Sequence, residues 1–377
     1  MNKKFLSIAA VAACMSLAFT ACDDDDNNND SDVAVNLECT ADNVTSWGNY
    51  MKIVAKLLVD DATTLYGKWT TSTEYKGGTS YANYFKSETG HEAAEEIVDG
   101  CNDIANEVGE AKIGDPLNLY NSGKTTEALY AVESWYSWHS RDDYSNNILS
   151  IRNSYYGSLD GTVSEKSLSA AVKAINPELD TKMVSEIQAA YDAILAIPQP
   201  FRNHINSTEA LAAQQACNTL AESLASDLKG ALEKIDETVL KEVVANYVDV
   251  VVVPTYANLK KGNEALKAAV DAFAANPSDD AFEACAQAWL DARQPWETSE
   301  AFLFGPVGDL GLDPNMDSWP LDQNGIYNVL TSGKYDDLNW SGEFDEDNDA
   351  IASAQALRGF HTLEYLIFKD GKARTIK

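Results

Sequence analysis

The residues best suited to do chemistry lie near the C-terminal end. Gly359-Phe360-His361-Thr362-Leu363-Glu364 sets an imidazole and a carboxylate at i and i+3. On a helix these side chains sit one turn apart on one face. They can share a cation, or simply hydrogen-bond each other beside a glycine that admits close packing. A second polar group, Arg293, Trp296, Glu297 and Glu300, stands among apolar residues in ARQPWETSEAFLFGPV. Glu297 and Glu300 repeat the i,i+3 spacing. A third stretch, HSRDDYSNNILSIRNSYYG, opens with a dense polar run, Ser140, Arg141, Asp142, Asp143, Ser145, Asn146 and Asn147. Helix capping uses one or two such residues and this stretch has more, so it reads either as caps and turns or as a ligand site at a helix N-terminus. Trp319 and Asp322, in Trp-Pro-Leu-Asp, end a Gly/Pro/Asp loop.

The elements that must position these groups read as helices throughout. Apolar residues at helical spacing predict helices over 44–66, closed by Gly67, and over 92–108, interrupted by Gly100. Others follow over 125–138, from the polar cluster to Gly157, and over 163–175, 178–197 and 207–234. Residues 68–90 read as a long loop. The β-branched run Val250–Val253 belongs to a helix over 239–261 that kinks at Pro254. Helices over 263–275 and 279–291 complete the series. The run from Asn348 to Asp370, free of proline, predicts one buried helix with Gly359 in its middle and Gly371 as its stop. Short connections between apolar-striped helices mean antiparallel packing. The fold class expected is all-α, two packed four-helix-type bundles, one over 38–235 and one over 236–377.

Composition narrows the function. Asp and Glu number 59 against 28 Lys and Arg, for a net charge of −31. That excludes nucleic acid as a partner and argues against docking on anionic lipid through a basic patch. It suits a cationic partner. There are four histidines, so a three-histidine site would consume nearly all of them. Residues 1–22 read as a signal peptide: a basic Asn2-Lys3-Lys4, an apolar run from Phe5 to Phe19, then Phe19-Thr20-Ala21-Cys22. The last four resemble a lipobox with Phe in place of the usual Leu, which makes Cys22 the expected lipidation site. The acidic 23–37 segment reads as a solvated tether. Membrane attachment is then through a lipid anchor alone. Cys39, Cys101, Cys217 and Cys285 allow either disulfides or buried thiols.

Several of these stretches carry a family resemblance. Gly359-x-His361-x-x-Glu364 resembles the GxHxxE motif of the imelysin family, also classed as peptidase family M75. The Arg293 to Val307 run with Trp-Pro-Leu-Asp, the Ser/Asp-rich stretch from His139, and Pro198-Gln199-Pro200-Phe201 resemble further motifs of that family. Their order differs. The Ser/Asp and Pro-Phe stretches precede GxHxxE here, and the helix from Val44 resembles what normally follows it, so the arrangement resembles a circular permutation. Tyr144 falls where other members have His. The acidic run after Cys22 resembles a surface-export signal of some Gram-negative lipoproteins.

The resemblance implies a cell-envelope lipoprotein on the outer membrane that binds a metal ion or an iron-bearing ligand at the bundle junction. Its setting would be iron uptake, with an envelope transport partner. It also implies an alternative, an extracytoplasmic metallopeptidase. A third reading is a metal-free surface interaction module. HTLE offers one histidine and one carboxylate, without the second histidine and base of HExxH, and this favours binding over hydrolysis. His361 and Glu364 are the expected ligands, Glu300 a third, and Arg293 a neighbour that steadies the site or binds an anion. Nitrogen and oxygen donors without Cys suit iron or zinc.

Overall fold

The computed structural model describes residues 37–340 and 342–377. The signal peptide, Cys22 and all but the last residue of the tether lie outside the described residues. The chain is all-α, with two packed helical bundles and one two-stranded hairpin, Phe368–Lys369 with Lys372–Ala373. One bundle groups the helices Val44–Thr70, Val253–Ala275, Asp279–Glu297 and Gly359–Ile367. The other groups Gly90–Asn106, Ser140–Tyr156, Pro177–Ala196 and Thr208–Ser223. The grouping does not follow chain order. The Val44–Thr70 helix, on the N-terminal side of residue 235, packs against Val253–Ala275.

The two ends of the described chain meet. Lys377 N–H donates to the Cys39 carbonyl at 2.9 Å, and Ala41 N–H donates to the Lys377 carbonyl at 3.3 Å. A chain joined across this point would run from the His361 helix through the hairpin into the Val44–Thr70 helix. That is the motif order expected of unpermuted members.

The Gly359–Ile367 helix is buried along its whole length. Its backbone carbonyls are met by side chains of its own bundle. Trp289 Nε1 donates to the Phe360 carbonyl at 2.9 Å, and Trp47 Nε1 to the Leu366 carbonyl at 2.8 Å. Tyr50 caps the turn before it, donating to the Leu357 carbonyl at 2.7 Å. These bonds tie the helix backbone to the aromatic residues of its bundle.

The single helix expected over 348–370 is broken. Helices Asp349–Gln355 and Gly359–Ile367 are separated at Leu357–Arg358, and the chain then turns into the hairpin. Gly359 is the first residue of the second helix, at φ +88°, so it is a hinge and not a mid-helix packing residue. A Cβ there would lie 2.5 Å from the Met316 carbonyl oxygen. The break lets Arg358 turn into the core, where it pairs with Asp61. Gly371 serves the hairpin turn at φ +74° and does not stop a helix.

Other boundaries shift for local reasons. The helix expected over 125–138 ends at Ala131. The 68–90 loop contains a helix, Tyr81–Ser87, capped by Ser80. Glu237–Ala275 is one run in which the β-branched segment forms a π-turn, Tyr247–Val252. Pro254 sits in the first turn after it, where its missing N–H disturbs least. Another π-turn, Glu107–Gly114, follows the Gly90–Asn106 helix. The four cysteines Cys39, Cys101, Cys217 and Cys285 are free and buried. No helix among the described residues is long and apolar enough to cross a membrane.

Candidate metal centre at the bundle junction

His361 projects from the first bundle into the junction and is fully buried. Glu364, one turn on, fixes its orientation. Glu364 Oε2 lies 2.9 Å from His361 Nδ1. Its other oxygen, Oε1, accepts from Tyr136 N–H at 3.0 Å, Ser137 N–H at 2.8 Å and Ser137 Oγ at 2.7 Å. Both carboxylate oxygens are thereby engaged. Glu364, expected as a ligand, here braces the ring from behind and leaves Nε2 facing the junction.

Nε2 looks toward two carboxylates that sequence reasoning missed. Asp317 Oδ1 lies 3.1 Å away and Glu133 Oε1 3.4 Å. One ligand atom from each of Glu133, Asp317 and His361 falls within 4.8 Å of the others. Glu133 escapes a pattern search because it sits just beyond a short helix, in the loop 132–139. Asp317 ends a two-turn helix, Leu312–Asp317, inside a Gly/Pro/Asp loop with no readable periodicity.

The loop carrying Glu133 is held from four sides. Trp319 Nε1 donates to the Ala131 carbonyl at 3.2 Å, and Ser140 Oγ to the Glu133 carbonyl at 2.5 Å. Gly371 N–H donates to the Tyr136 carbonyl at 2.9 Å, and Glu364 takes the amides of Tyr136 and Ser137. Within it Ser134 and Trp138 adopt φ of +52° and +62°. Such strain persists only where surroundings over-determine the backbone, and it gathers at functional sites.

Arg293 lies at the centre, fully buried. Its Nη2 contacts Glu133 Oε1 at 2.8 Å and Glu297 Oε1 at 2.5 Å, and its Nη1 pairs with Asp317. Asp143 Oδ2 lies 3.6 Å from its Nε. Trp296 Nε1 holds the second Asp317 oxygen at 2.6 Å, and the Trp319 ring meets the His361 ring edge-to-face at 4.9 Å. From the other bundle, Lys112 Nζ reaches Glu133 at 3.1 Å and Glu107 at 3.7 Å. Lys112 and Glu107 belong to the π-turn Glu107–Gly114, and π-turns recur at functional sites.

The remaining candidates divide. Asp143 bridges His139, at 2.8 Å, to the Arg293 side. Ser140 supports the loop, as above. Asn146 is half-buried, and it is Asn147 that enters, its Nδ2 donating to Glu297 Oε2 at 2.6 Å. Asp142 lies outward, 3.6 Å from His139 Nε2. Asp322 caps the Gln323–Ser332 helix through Gly325 N–H at 2.9 Å and plays no part in the site. Glu300 is buried beside Glu297 and Asp317, apart from the His361 triplet.

The electrostatics are those of crowded acids in a buried junction. Burial opposes ionisation of Glu133, yet Lys112 and His361 hold it at about 2. Burial likewise opposes Asp317, but Arg293 and His361 keep it well below the carboxylate range. Burial and Arg293 disfavour a charged His361, and Asp317 and Glu133 override them, raising it well above the histidine range. Burial pushes Glu297 up to about 8 and raises Glu300 strongly. Against Glu133, Asp143, Glu297, Glu300, Asp317 and Glu364 stand Lys112, His139, Arg293 and His361, an acidic excess that a cation or protons must balance.

Sequence comparison matches residues 23–226 and 252–377 to the imelysin peptidase family, M75. The chain belongs to the imelysin family. A crystal structure of an imelysin peptidase from Bacteroides ovatus is 55% identical, with a TM-score of 0.88 over 91% of this chain and 100% of that one. Iron-regulated protein A of Synechococcus elongatus is 32% identical over 130 residues, 34% of this chain. The match spans 32% of that relative's length. A putative iron-regulated protein A precursor from Parabacteroides distasonis is 38% identical over 45% of this chain and 52% of its own, at a TM-score of 0.41.

Proposed function

We propose that this imelysin binds a metal ion at the bundle junction through His361 Nε2, Glu133 and Asp317, and that it serves iron acquisition. The observation that carries the reading is the convergence of those three ligand atoms within 4.8 Å on a ring locked from behind by Glu364. The donor set fits a metal. Glu133 Oε2 is buried, makes no directed hydrogen bond among the described residues, and is met only by the Lys112 ammonium at 3.1 Å. One imidazole and two carboxylates, without sulfur, suit iron or zinc over softer ions. Arg293 supplies countercharge that keeps Glu133, Asp317 and Glu297 within reach of one another. The iron setting draws support from the similarity to a protein named for iron regulation.

Lipidation of Cys22 would place the protein in the cell envelope on an acidic tether, where a transport partner could receive the ion or an iron-bearing ligand. Hydrolysis is the weaker reading. His361, Arg293 and Glu297 are wholly shielded from solvent, which admits an ion more readily than a polypeptide. Both Glu364 oxygens are engaged, so it is not free to act as a base.

The test is elemental analysis of the mature protein after separate loading with iron and zinc. Bound metal that His361→Ala and Asp317→Asn abolish, in folded variants, is the expected result. Absence of metal, or equal binding in both variants, overturns the reading.

A further inference from the structure

Glu300 stands apart from the other acids of the junction. It is 6% exposed, and among the described residues its carboxylate accepts no hydrogen bond and has no cation within ion-pair distance. Lys112 is the cation whose charge reaches it. A largely buried carboxylate left without a partner is unfavourable unless something compensates it. One oxygen of Glu300 lies within 4.8 Å of ligand oxygens of Glu297 and Asp317. Glu297 Oε1 touches Arg293 at 2.5 Å but makes no directed hydrogen bond. The i,i+3 spacing places Glu297 at the end of one helix and Glu300 in the short 3-10 turn Glu300–Phe302 that follows.

We propose that Glu297, Glu300 and Asp317 form a second cation position, joined to the His361 position by the shared carboxylate of Asp317. This rests on the cation-binding reading of the junction and deepens it from one ion to two. The chemistry differs between the two positions. The first has an imidazole. The second has carboxylate oxygen alone and takes a divalent ion that accepts oxygen ligands, such as Mn2+, Mg2+ or Fe2+. Asp317 suits the bridging role because both its oxygens face the junction, one toward His361 and Arg293 and the other toward the Trp296 indole N–H. The bland reading is that Glu300 is a neutral acid holding a proton, and it makes an opposite prediction.

The experiment is equilibrium dialysis of the purified protein against Mn2+ or anaerobic Fe2+, with the bound metal measured by mass spectrometry. It uses the wild type, Glu300→Gln and His361→Ala. Glu300→Gln is isosteric and breaks no ion pair, so it should fold; circular dichroism checks this. Two equivalents in the wild type, one in Glu300→Gln and one in His361→Ala support the second position. One equivalent in the wild type, unchanged by Glu300→Gln and lost in His361→Ala, overturns it and leaves the first position standing. One equivalent lost in Glu300→Gln and kept in His361→Ala supports the second position and overturns the first. No binding overturns both. If Glu300→Gln is unfolded, Mn2+ electron paramagnetic resonance of the wild type decides. Exchange-coupled pairs support the proposal, and isolated ions at saturation overturn it.

Discussion

Replacing Glu364 by Gln separates positioning from ligation. Glu364 Oε1 accepts three hydrogen bonds, from two backbone amides and the Ser137 hydroxyl, and Oε2 faces His361 Nδ1. The Gln carbonyl can keep the first set, because the three donors on that side dictate the amide orientation. Its NH2 then faces His361 Nδ1 and can only donate. In the neutral ring that a metal requires, Nδ1 must then accept, which leaves the proton on Nε2, the nitrogen that meets Asp317 at 3.1 Å and would have to bind the ion. The fold survives at a cost of about 1 kcal/mol, the net worth of a typical hydrogen bond. Metal affinity falls about 10- to 100-fold, as for loss of a group that orients a ligating histidine. Glu364→Ala is harsher. It strands two buried amides at roughly 1–3 kcal/mol each, so about 2–6 kcal/mol of stability is lost. Urea denaturation and competition with a chromophoric chelator measure the two effects separately. Glu364→Gln with wild-type affinity would refute the positioning role, and loss far beyond 100-fold would make Glu364 a direct ligand.

Two other outcomes follow from the same geometry. Gly359→Ala forces a Cβ to 2.5 Å from the Met316 carbonyl at φ +88°, and should cost at least the roughly 1–3 kcal/mol of such strained backbone, read as a lowered urea midpoint. The metal-free protein should lose stability as pH rises from about 5 to about 8. Burial raises Glu297 to about 8 and Asp313 to about 7, and Asp317 and Glu133 raise His361. The folded form therefore holds protons that the unfolded chain, with carboxyls near 4 and histidine near 6.5, releases. Glu133 and Asp317, depressed, act oppositely, and their contribution is lost only below about pH 4. A melting midpoint in chelator that is higher at pH 8.5 than at 5.5 would contradict this, whereas saturating metal should flatten the decline.

Much of the architecture was legible in the sequence because helical periodicity survives wherever a helix buries one stripe. The Val44–Thr70 and Asp279–Glu297 helices are such cases. Periodicity failed where backbone chemistry overrode it. An uninterrupted apolar run concealed the break at Arg358–Gly359, which depends on a buried Arg358–Asp61 pair from distant parts of the chain. The site was half legible. His361, Glu364, Arg293, Trp296, Glu297 and Glu300 all reach the junction, since they stand as polar residues in apolar surroundings. Glu133, Asp317 and Lys112 were hidden in a strained loop, a short helix and a π-turn, where spacing carries no signal. Asn147 stood in the same polar run as Asn146 and Asp142, and only helix phase singles it out as the residue that enters the junction.

The central claim is that His361, Glu133 and Asp317 hold a metal ion while Glu364 stands behind the ring. Anomalous X-ray diffraction from crystals loaded with iron or zinc tests it most directly. The account predicts an anomalous peak bonded to His361 Nε2 and to oxygens of Glu133 and Asp317, with Glu364 still on Nδ1. A peak coordinated by Glu364, or no peak at the junction in fully loaded crystals, would contradict it.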